Sequence, residues 1–294
     1  MNTSNFTHYR KRLIDDLKLS GYADRTQESY LERVTNLANY FDLCPSKLSD
    51  EQVRDYLLHI VNDRNYAANS LRITTAGLKF FYRTTLKREI KLLDTVKAES
   101  RLKLPEIFTR TDAWRIIEAT RFLHHQACFA VLYTCGLRIH EALKLTVHDI
   151  KADRMHIHVR AGKGNKDRIV PLPSYTLQML RKQWASHRNP NLIFPAIGTD
   201  RRLAGIATKP MCADAPRNTL KTVTKELTID LEQVRLHLFR HSYATHLLDS
   251  GVNICTVQKY LGHTSVSSTM VYLHLTTDGH QLACKLIEQL MGGK

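Results

Sequence analysis

The chain has 294 residues, of which 43% are hydrophobic and 24% are charged, a composition that supports folded cores in one large or two ordinary domains. Its net charge of +15 indicates a polyanionic partner, most simply nucleic acid. No apolar run is long enough to cross a membrane, and the N-terminus lacks the apolar segment of a secretory signal. The composition therefore argues against a membrane or secreted protein. A merely basic soluble protein remains the plain alternative.

Cysteine and histidine usage indicates neither a disulfide framework nor a metal site. The six cysteines form no Cys-x-x-Cys pair and lie in apolar contexts, so we expect reduced, mostly buried thiols in a cytoplasmic protein. His237 and His241 are four residues apart and could share a helix face. No cysteine or carboxylate completes a zinc site at a recognisable spacing, so we expect no metal.

The first ninety residues have helical periodicity throughout and predict a bundle of four short helices. The expected boundaries, in chain order, are a stop at Gly21, a cap at Thr26, a capping box of Ser49 with Gln52, and a start at Asn69 or Ser70. The residues expected to face the core are Leu13, Leu17, Leu19, Tyr30, Val34, Leu37, Tyr40, Phe41, Val53, Tyr56, Leu57, Ile60, Leu71, Leu78, Phe80 and Phe81.

The polar faces of this bundle are basic. They carry Arg25, Arg64, Arg72, Lys79 and Arg83. Such faces favour contact with DNA phosphates, although no recognition-helix signature identifies residues that read bases. A generic helical domain is the alternative interpretation.

The periodicity fails between Lys87 and Pro105, where basic residues outnumber acidic ones. Loss of apolar spacing followed by a proline is typical of a linker. The sequence therefore predicts a helical domain over residues 1–90, a basic linker over 91–104 and a second domain over 105–294.

The second domain is predicted to be mostly helical with one β-hairpin. Met155, Ile157 and Val159 alternate with polar residues, a glycine-rich turn covers 162–165, and 168–172 form the returning strand. Residues 189–216 are expected to be mostly loop, and 282–291 form an amphipathic helix that needs a partner. The predicted fold class is mainly α with a small antiparallel β-sheet (α+β).

A helix beginning near His237 carries the first polar residues suited to phosphate chemistry. His237 and Arg240 are three apart and therefore share one face, while Tyr243 lies on the apolar side. Ser250 and Gly251 are expected to end this helix.

Two shorter helices follow. Asn253 is expected to cap the first and Gly262 to end it, which leaves His263 in the turn. A third helix starting between Thr264 and Ser268 carries Tyr272 near its end. This packing would bring a cation, two imidazoles and a phenol toward one pocket.

The order His-x-x-Arg, Leu-Gly-His and a tyrosine nine residues later resembles the tyrosine recombinase (phage integrase) family, in particular its Xer-type and mobile-element integrases. The resemblance continues upstream at GLRIHEALKL (136–145) and GKGNKDRIVPL (162–172), and is weaker before about residue 104. One departure is Phe239, where the family commonly has leucine. Both side chains are apolar, so we expect repacking in the core.

The resemblance implies a SAM-like core-binding domain followed by a mixed, mostly helical catalytic domain. It implies a double-stranded DNA recombination site as substrate and a 3′-phosphotyrosyl intermediate formed without metal, ATP or other cofactor. It also implies a homo-tetramer, or a heterotetramer with a sister recombinase, in which the C-terminal helix docks into the neighbouring protomer.

The resemblance further implies these catalytic residues, with Glu141 in support: Arg138, Lys163, His237, Arg240, His263 and Tyr272. Tyr272 would be the nucleophile, and because a free phenol has a pKa near 10 it needs help from its neighbours. The two arginines would hold the non-bridging phosphate oxygens with their planar forks.

The remaining roles concern protons and hydrogen bonds. Lys163 would protonate the leaving 5′ oxygen, and the glycines beside it would let the loop approach DNA. His237 would act as base or relay, and His263 would hydrogen-bond a phosphate oxygen. Glu141 would orient Arg138 or His237.

Two other functions share parts of this pattern. A type IB topoisomerase-like enzyme would relax supercoils with the same chemistry and without exchanging strands between two sites. A DNA-binding module that has lost catalysis would keep the fold, although all the candidate catalytic residues are present here.

Overall fold

The computed structural model describes residues 6–63, 66–96, 106–160, 167–196, 201–263 and 265–275. The chain divides into two compact units, Met1–Leu102 and Lys103–Lys294. Helices dominate the described part of both units, and the second contains a three-stranded antiparallel sheet. The predicted fold class is therefore confirmed.

The N-terminal unit is a helical bundle. Its described helices are α1 (Thr7–Leu19), α2 (Asp24–Phe41), α3 (Asp50–Asn62), α4 (Ala68–Phe80) and α5 (Leu92–Thr95), and a π-helical stretch, Phe81–Thr85, continues α4. Most of the predicted apolar stripe forms its core: Leu13, Leu17, Val34, Leu37, Val53, Tyr56, Leu57, Ile60, Leu71, Leu78 and Phe81. Gly77 allows α2 and α4 to approach closely, because a Cβ there would lie 3.3 Å from the Cα of Tyr30.

Several local predictions for this bundle are wrong. Leu19, expected in the core, is the last residue of its helix and is 88% exposed. Tyr40 is 44% exposed. Helix α2 begins at Asp24 after an extended Ala23, two residues before the predicted cap Thr26. A carboxylate in the first turn interacts favourably with the helix dipole, which offsets the missing side-chain cap.

The start of α3 follows the prediction in detail. The Ser49 side chain accepts a hydrogen bond from the backbone N–H of Gln52, and the Gln52 side chain accepts one from the backbone N–H of Ser49. The predicted capping box is therefore confirmed. Helix α4 begins at Ala68, one residue before the earlier of the two predicted starts.

The first part of the predicted linker is ordered against the N-terminal unit and contains a short helix. Ile90 and Leu93 are buried in the core of the N-terminal unit, and Leu93 lies on the short helix α5. Leu92 and Val96 also pack against this core, but a helix of four residues among many charged ones is too short to show a clear helical period, so the anchor was not recognised from the sequence. The rest of the predicted linker, residues 97–104, lies outside the described residues.

Helix α7 is the centre of the second unit. The described helices of this unit are α6 (Arg110–Ala119), α7 (Leu123–Thr134), α8 (Ile139–Leu143), α9 (Ser174–Ala185), α10 (Asp214–Glu226), α11 (His237–Asp249), α12 (Ile254–Leu261) and α13 (Ser267–Met270). Helix α7 packs against α6, α9, α10 and α11. Phe239 of α11 is fully buried and stacks on Phe129 of α7 with ring centroids 5.3 Å apart, so this aromatic is a core residue.

The sheet of the second unit contains the predicted hairpin and one additional strand. Its strands are β1 (Ile150–Lys151), β2 (His156–Val159) and β3 (Arg168–Pro171), antiparallel in the order β1-β2-β3. Ile157 pairs with Val170, and both face the core. Met155, expected in the strand, precedes it with a left-handed backbone (φ 50°). The two residues of β1 are too few to show a β period.

The predicted loop over 189–216 contains helical structure. Arg201–Ile206 form a 3-10 helix, and α10 begins at Asp214. Pro216 therefore lies in the first turn of α10, where a missing N–H removes no helical hydrogen bond.

The cysteine prediction is partly confirmed. Cys44, Cys128 and Cys135 are free and buried, whereas Cys212 and Cys255 are free and exposed. Cys284 lies outside the described residues, as do Lys163, Arg64 and the predicted C-terminal helix over 282–291. No helix in the described ranges has the length and apolarity needed to cross a membrane.

Candidate active site

Helix α11 places Arg240 in the interior of the second unit. Arg240 is 1% exposed, and its Nη1 donates to the carbonyl oxygen of Gly136 at 2.6 Å. Its Nη2 donates to the carbonyl oxygen of Leu261 at the end of α12. The Nε of Arg240 has no hydrogen-bond partner among the described residues. The guanidinium is thus fixed by two backbone carbonyls and retains an unused donor.

The turn before α8 supplies the carbonyl that holds Arg240. Gly136 has φ +62°, and a Cβ there would lie 2.3 Å from Cδ1 of Tyr243. Only glycine therefore fits this position without displacing the ring. Arg138 follows two residues later, directly before the first turn of α8.

Glu141 connects two arginines. Its carboxylate accepts hydrogen bonds from the Arg138 backbone N–H at 2.8 Å and from the Arg138 guanidinium at 2.9 Å. The Arg168 guanidinium donates to both carboxylate oxygens, at 2.9 and 2.6 Å. Burial raises the pKa of Glu141, but the hydrogen bonds and charges of Arg168 and then Arg138 outweigh it and lower the pKa to about 2.

The turn after α12 carries His263. Asn253 caps α12 by accepting a hydrogen bond from the Cys255 backbone N–H, and Gly262 ends it with φ +64°, as both were predicted to do. His263 Nδ1 lies 2.9 Å from the hydroxyl oxygen of Thr269 on α13, which fixes the orientation of the imidazole.

Tyr272 lies in the 3-10 turn Val271–Leu275 and is 3% exposed. Its hydroxyl is hydrogen-bonded to Nδ1 of His241 on α11, at 2.9 Å. The phenol ring also stacks against the His263 imidazole, with centroids 6.2 Å apart. Burial raises the pKa of Tyr272, while the charges of Arg240 and Arg138 lower it in part. The phenol is therefore protonated and close to two guanidinium groups.

The three imidazoles of the pocket are neutral at neutral pH. Burial, followed by the nearby arginine charges, lowers the pKa of His237 and of His263 to about 4. Burial and the neighbouring His237 lower the pKa of His241 to about 3. Burial and the charge of Arg138 also lower the pKa of Arg240 to about 9, which still leaves it charged. Among the described residues of the pocket, positive charge is thus carried by arginines.

The structure brings together the following predicted site residues: Arg138, Glu141, His237, Arg240, His263 and Tyr272. Lys163, the remaining predicted catalytic residue, lies outside the described residues. Within the described part of the site, the guanidiniums of Arg138, Arg168 and Arg240 outnumber the carboxylate of Glu141. An excess of fixed cations around a phenol suits the binding of a phosphodiester.

Two residues at the site were not predicted to belong to it. The sequence indicates His241 only as a possible partner of His237 in a zinc site, and in the structure the two rings lie 4.4 Å apart. Across the described residues, no group of three or more metal-ligating side chains could hold an ion. The sequence pattern indicates Arg168 only as the start of a strand, because its partners Glu141 and Tyr260 are 27 and 92 residues away. The sequence signal for His241 is its position directly after the predicted catalytic residue Arg240.

Comparison with protein families matches both units. The Phage integrase family profile matches residues 106–278, and the profile described as "Phage integrase, N-terminal SAM-like domain" matches residues 9–92. The Sinorhizobium fredii protein y4qK, named as an integrase/recombinase, is 33% identical over 273 residues, which cover 92% of this chain and 86% of that protein. Tyrosine recombinase XerA of Thermococcus kodakarensis is 32% identical over 244 residues, with 81% of this chain and 82% of the relative covered.

Solved structures show the same fold at lower identity. The Tn1549 transposon integrase in complex with transposon right end DNA superposes with a TM-score of 0.70 at 15% identity, covering 97% of this chain and 99% of that one. The XerH site-specific recombinase bound to palindromic difH substrate gives a TM-score of 0.64 at 18% identity, covering 89% and 80%. The chain belongs to the phage integrase family, the tyrosine recombinases, and is an enzyme of site-specific DNA recombination.

Proposed function

We propose that the chain cleaves and rejoins DNA through a covalent bond between Tyr272 and the 3′ phosphate of the cut strand. The Tyr272 oxygen attacks phosphorus, and the bond from phosphorus to the 5′ oxygen breaks. The phenol proton passes to His241, whose Nδ1 lies 2.9 Å from the Tyr272 hydroxyl, and His237, whose ring lies 4.4 Å from that of His241, acts as the relay. Lys163 gives a proton to the leaving 5′ oxygen. The reverse sequence rejoins the strand, so the bond energy is conserved and no ATP or metal ion is needed.

One observation carries this proposal: the Tyr272 phenol is buried beside two charged arginines and between neutral imidazoles. A neutral imidazole can accept a proton, whereas an imidazolium cannot. Arg138 and Arg240 would stabilise the charge that develops on the non-bridging oxygens, an effect for which one lost donor typically lowers kcat by about 10²–10³-fold. The buried Nε of Arg240 has no hydrogen-bond partner among the described residues, so this guanidinium keeps one donor that the protein does not use.

We further propose that this chemistry takes place in a tetramer on two recombination sites in the cytoplasm, composed of identical chains or shared with a sister recombinase. In this arrangement residues 1–90 form the core-binding domain, residues 105–294 form the catalytic domain, and the apolar stripe over 282–291 docks into a neighbouring protomer. The DNA in the Tn1549 integrase and XerH complexes supports a duplex substrate. The exposed basic residues Arg25 and Arg72 of the N-terminal unit fit the same substrate.

The test uses a nicked suicide duplex, which loses a short fragment on cleavage and thereby traps the intermediate. The duplex carries the sequence that the Tyr272→Phe protein selects from a random-sequence pool. Wild type should form a covalent adduct in EDTA without ATP, Tyr272→Phe should form none, and the matched control Tyr260→Phe should react like wild type. An adduct that persists in Tyr272→Phe, or one that requires a metal ion, would reject the mechanism.

A further inference from the structure

Arg168 lies where three elements of the site meet. It is the first residue of β3, its side chain reaches Glu141 on α8, and it also reaches the end of α12. The residue is 9% exposed, so the guanidinium is largely removed from solvent. A buried arginine is retained only where its charge and donors are matched by partners.

The donors of Arg168 are directed at protein atoms. Both terminal nitrogens engage Glu141 in a fork, at 2.9 and 2.6 Å, and Nε donates to the carbonyl oxygen of Tyr260 at 2.7 Å. This geometry uses the planar fork that distinguishes arginine from lysine. Arg168 therefore acts on the site through other residues and does not itself point to a phosphate.

The stem of Arg168 also packs on the turn that precedes His263. A Cβ at Gly262 would lie 2.9 Å from Cδ of Arg168. Together with the hydrogen bond to the Tyr260 carbonyl, this contact fixes the C-terminal end of α12 against β3. Arg168 thus contacts the segment that leads directly into His263.

The electrostatic effect concerns Arg138. Glu141 alone would neutralise the charge of Arg138, because they are 2.9 Å apart and partly buried. Arg168 engages both oxygens of the same carboxylate, so the three groups together keep one net positive charge. That charge remains available at Arg138, which is the more exposed of the two arginines.

We propose that Arg168 is a positioning residue for DNA cleavage, which holds Glu141 and the end of α12 so that Arg138 and His263 meet the phosphate in the reactive geometry. The inference rests on the proposed function, because it assumes that Arg138 and His263 bind the phosphate attacked by Tyr272. It adds a residue to that machinery whose action is indirect.

The first experiment compares Arg168→Met, which removes the charge, with Arg168→Lys, which keeps the charge and loses the fork. The single-turnover rate of adduct formation on the suicide duplex should fall about 100-fold or more in Arg168→Met and by less in Arg168→Lys. Affinity for the duplex, measured in the Tyr272→Phe background, should change by less than about tenfold, because Arg168 makes no phosphate contact of its own.

The matched control is Arg110→Met. Arg110 also donates to a carbonyl at a helix C-terminus, that of His246 on α11, but has no contact with Glu141. This control should keep the wild-type adduct rate. Rates are expressed per folded molecule, at a temperature below the thermal unfolding transition of every variant.

The dependence of the adduct rate on pH distinguishes a positioning role of Arg168 from a purely structural one. Among the described residues, the charged and titratable groups acting on Glu141 are Arg138 at the N-terminus of α8, Arg168 on β3, and His237 and Arg240 on α11. In wild type Glu141 is ionised throughout the working pH range, since its pKa is about 2. Loss of Arg168 leaves burial in place and removes the main opposing charge, so the Glu141 pKa rises. The adduct rate of Arg168→Met should therefore fall at a higher pH than in wild type as the solution is acidified.

A double variant shows whether Arg168 acts through Glu141. Arg168→Met combined with Glu141→Gln should lose less rate than the two single losses multiplied together, because both changes remove the same Arg168–Glu141 connection. It should still be slower than Glu141→Gln alone, because Arg168 also holds the end of α12. Fully additive losses would overturn the proposal. The proposal would also be overturned if Arg168→Met only lowered stability. In that case its adduct rate per folded molecule and its pH profile would match those of Arg110→Met.

Failure of the underlying mechanism looks different. It would appear in the wild-type protein, as an adduct that survives Tyr272→Phe. Failure of the Arg168 proposal would appear only in the Arg168 variants, with the wild-type adduct and its dependence on Tyr272 intact.

Discussion

The carbonyl oxygen of Gly136 holds the Arg240 guanidinium, and the backbone at Gly136 can take its shape only without a side chain. We expect Gly136→Ala to lower the free energy of unfolding by about 1–3 kcal/mol more than Gly21→Ala. Both glycines have positive φ, but only Gly136 has a ring where the Cβ would be, while nothing lies within 4 Å of that point at Gly21. Thermal or urea unfolding measures the difference. Equal decreases in the free energy of unfolding would show that the Tyr243 ring can be displaced without an energetic cost.

The buried histidines make stability depend on pH. The pKa is lowered by burial to about 4 in His125, His237, His246 and His263, and to about 3 in His241. The unfolded chain, whose histidines have a pKa near 6.5, therefore binds more protons than the folded chain at mildly acidic pH. The stabilising contribution is complete above about pH 6.5 and is lost as the pH falls from there toward about 4.

We expect the free energy of unfolding to decrease on acidification through this range, each histidine contributing up to about 1.4 kcal/mol per pH unit. The Tyr133 hydroxyl lies 3.0 Å from His246 Nδ1, and the glutamine of His246→Gln can keep this hydrogen bond. This variant should therefore reduce the slope of the free energy of unfolding against pH by up to the contribution of one histidine. Urea unfolding between pH 7.5 and 4.5 gives the slope. A wild-type stability that stays level across this range would contradict the account.

His241 and Arg168 mark the limit of prediction from sequence at this scale. The candidate residues were identified because their local patterns resemble a family, and the described ones meet in one pocket. The hydrogen bond from Tyr272 to His241 spans 31 residues, and that from Arg168 to Tyr260 spans 92. Such pairs depend on how α11, α12 and β3 pack, and no periodicity in a single sequence encodes that packing.

Helix α12 connects a local sequence signal to the site. Its N-cap Asn253 and its C-terminal Gly262 fix where the helix starts and ends, and His263 follows directly. We expect Asn253→Ala to lower the free energy of unfolding by about 1 kcal/mol, because one backbone N–H loses its acceptor, whereas Asn253→Asp should be close to neutral. Chemical unfolding of the two variants measures this. An Asp variant as unstable as the Ala variant would show that the cap is not what stabilises the helix.

Elements were predicted well where several local signals agreed. The Ser49–Gln52 box and the alternation at Ile157 and Val159 each combine a turn or cap residue with the right period, and both are confirmed. Thr26 failed as a cap because the chain reaches helical geometry at Asp24, with no side-chain cap. Strand β1 and helix α5 are shorter than one clear period, so only the pairing of β1 with β2 and the burial of Leu93 in α5 reveal them.

The charge of the whole chain should dominate its affinity for DNA. A net charge of +15 predicts release of many condensed counterions on binding. We expect the affinity of Tyr272→Phe for a duplex to fall by about a thousandfold or more between about 50 and 200 mM salt. Fluorescence anisotropy measures the slope of log affinity against log salt concentration. Arg72 lies on the exposed face of α4, and if it contacts a phosphate, Arg72→Gln should reduce that slope by about one. A fall of less than about tenfold would rule out phosphate contacts as the main source of affinity.

The most direct test of the central claim is the identity of the residue that becomes joined to DNA. Trypsin digestion of the trapped adduct should release residues 260–285 carrying a nucleotide, and this peptide contains both Tyr260 and Tyr272. Fragmentation by tandem mass spectrometry should place the nucleotide on Tyr272 through a 3′ phosphate. A nucleotide on Tyr260 or on any other residue, or a linkage through a 5′ phosphate, would contradict the account.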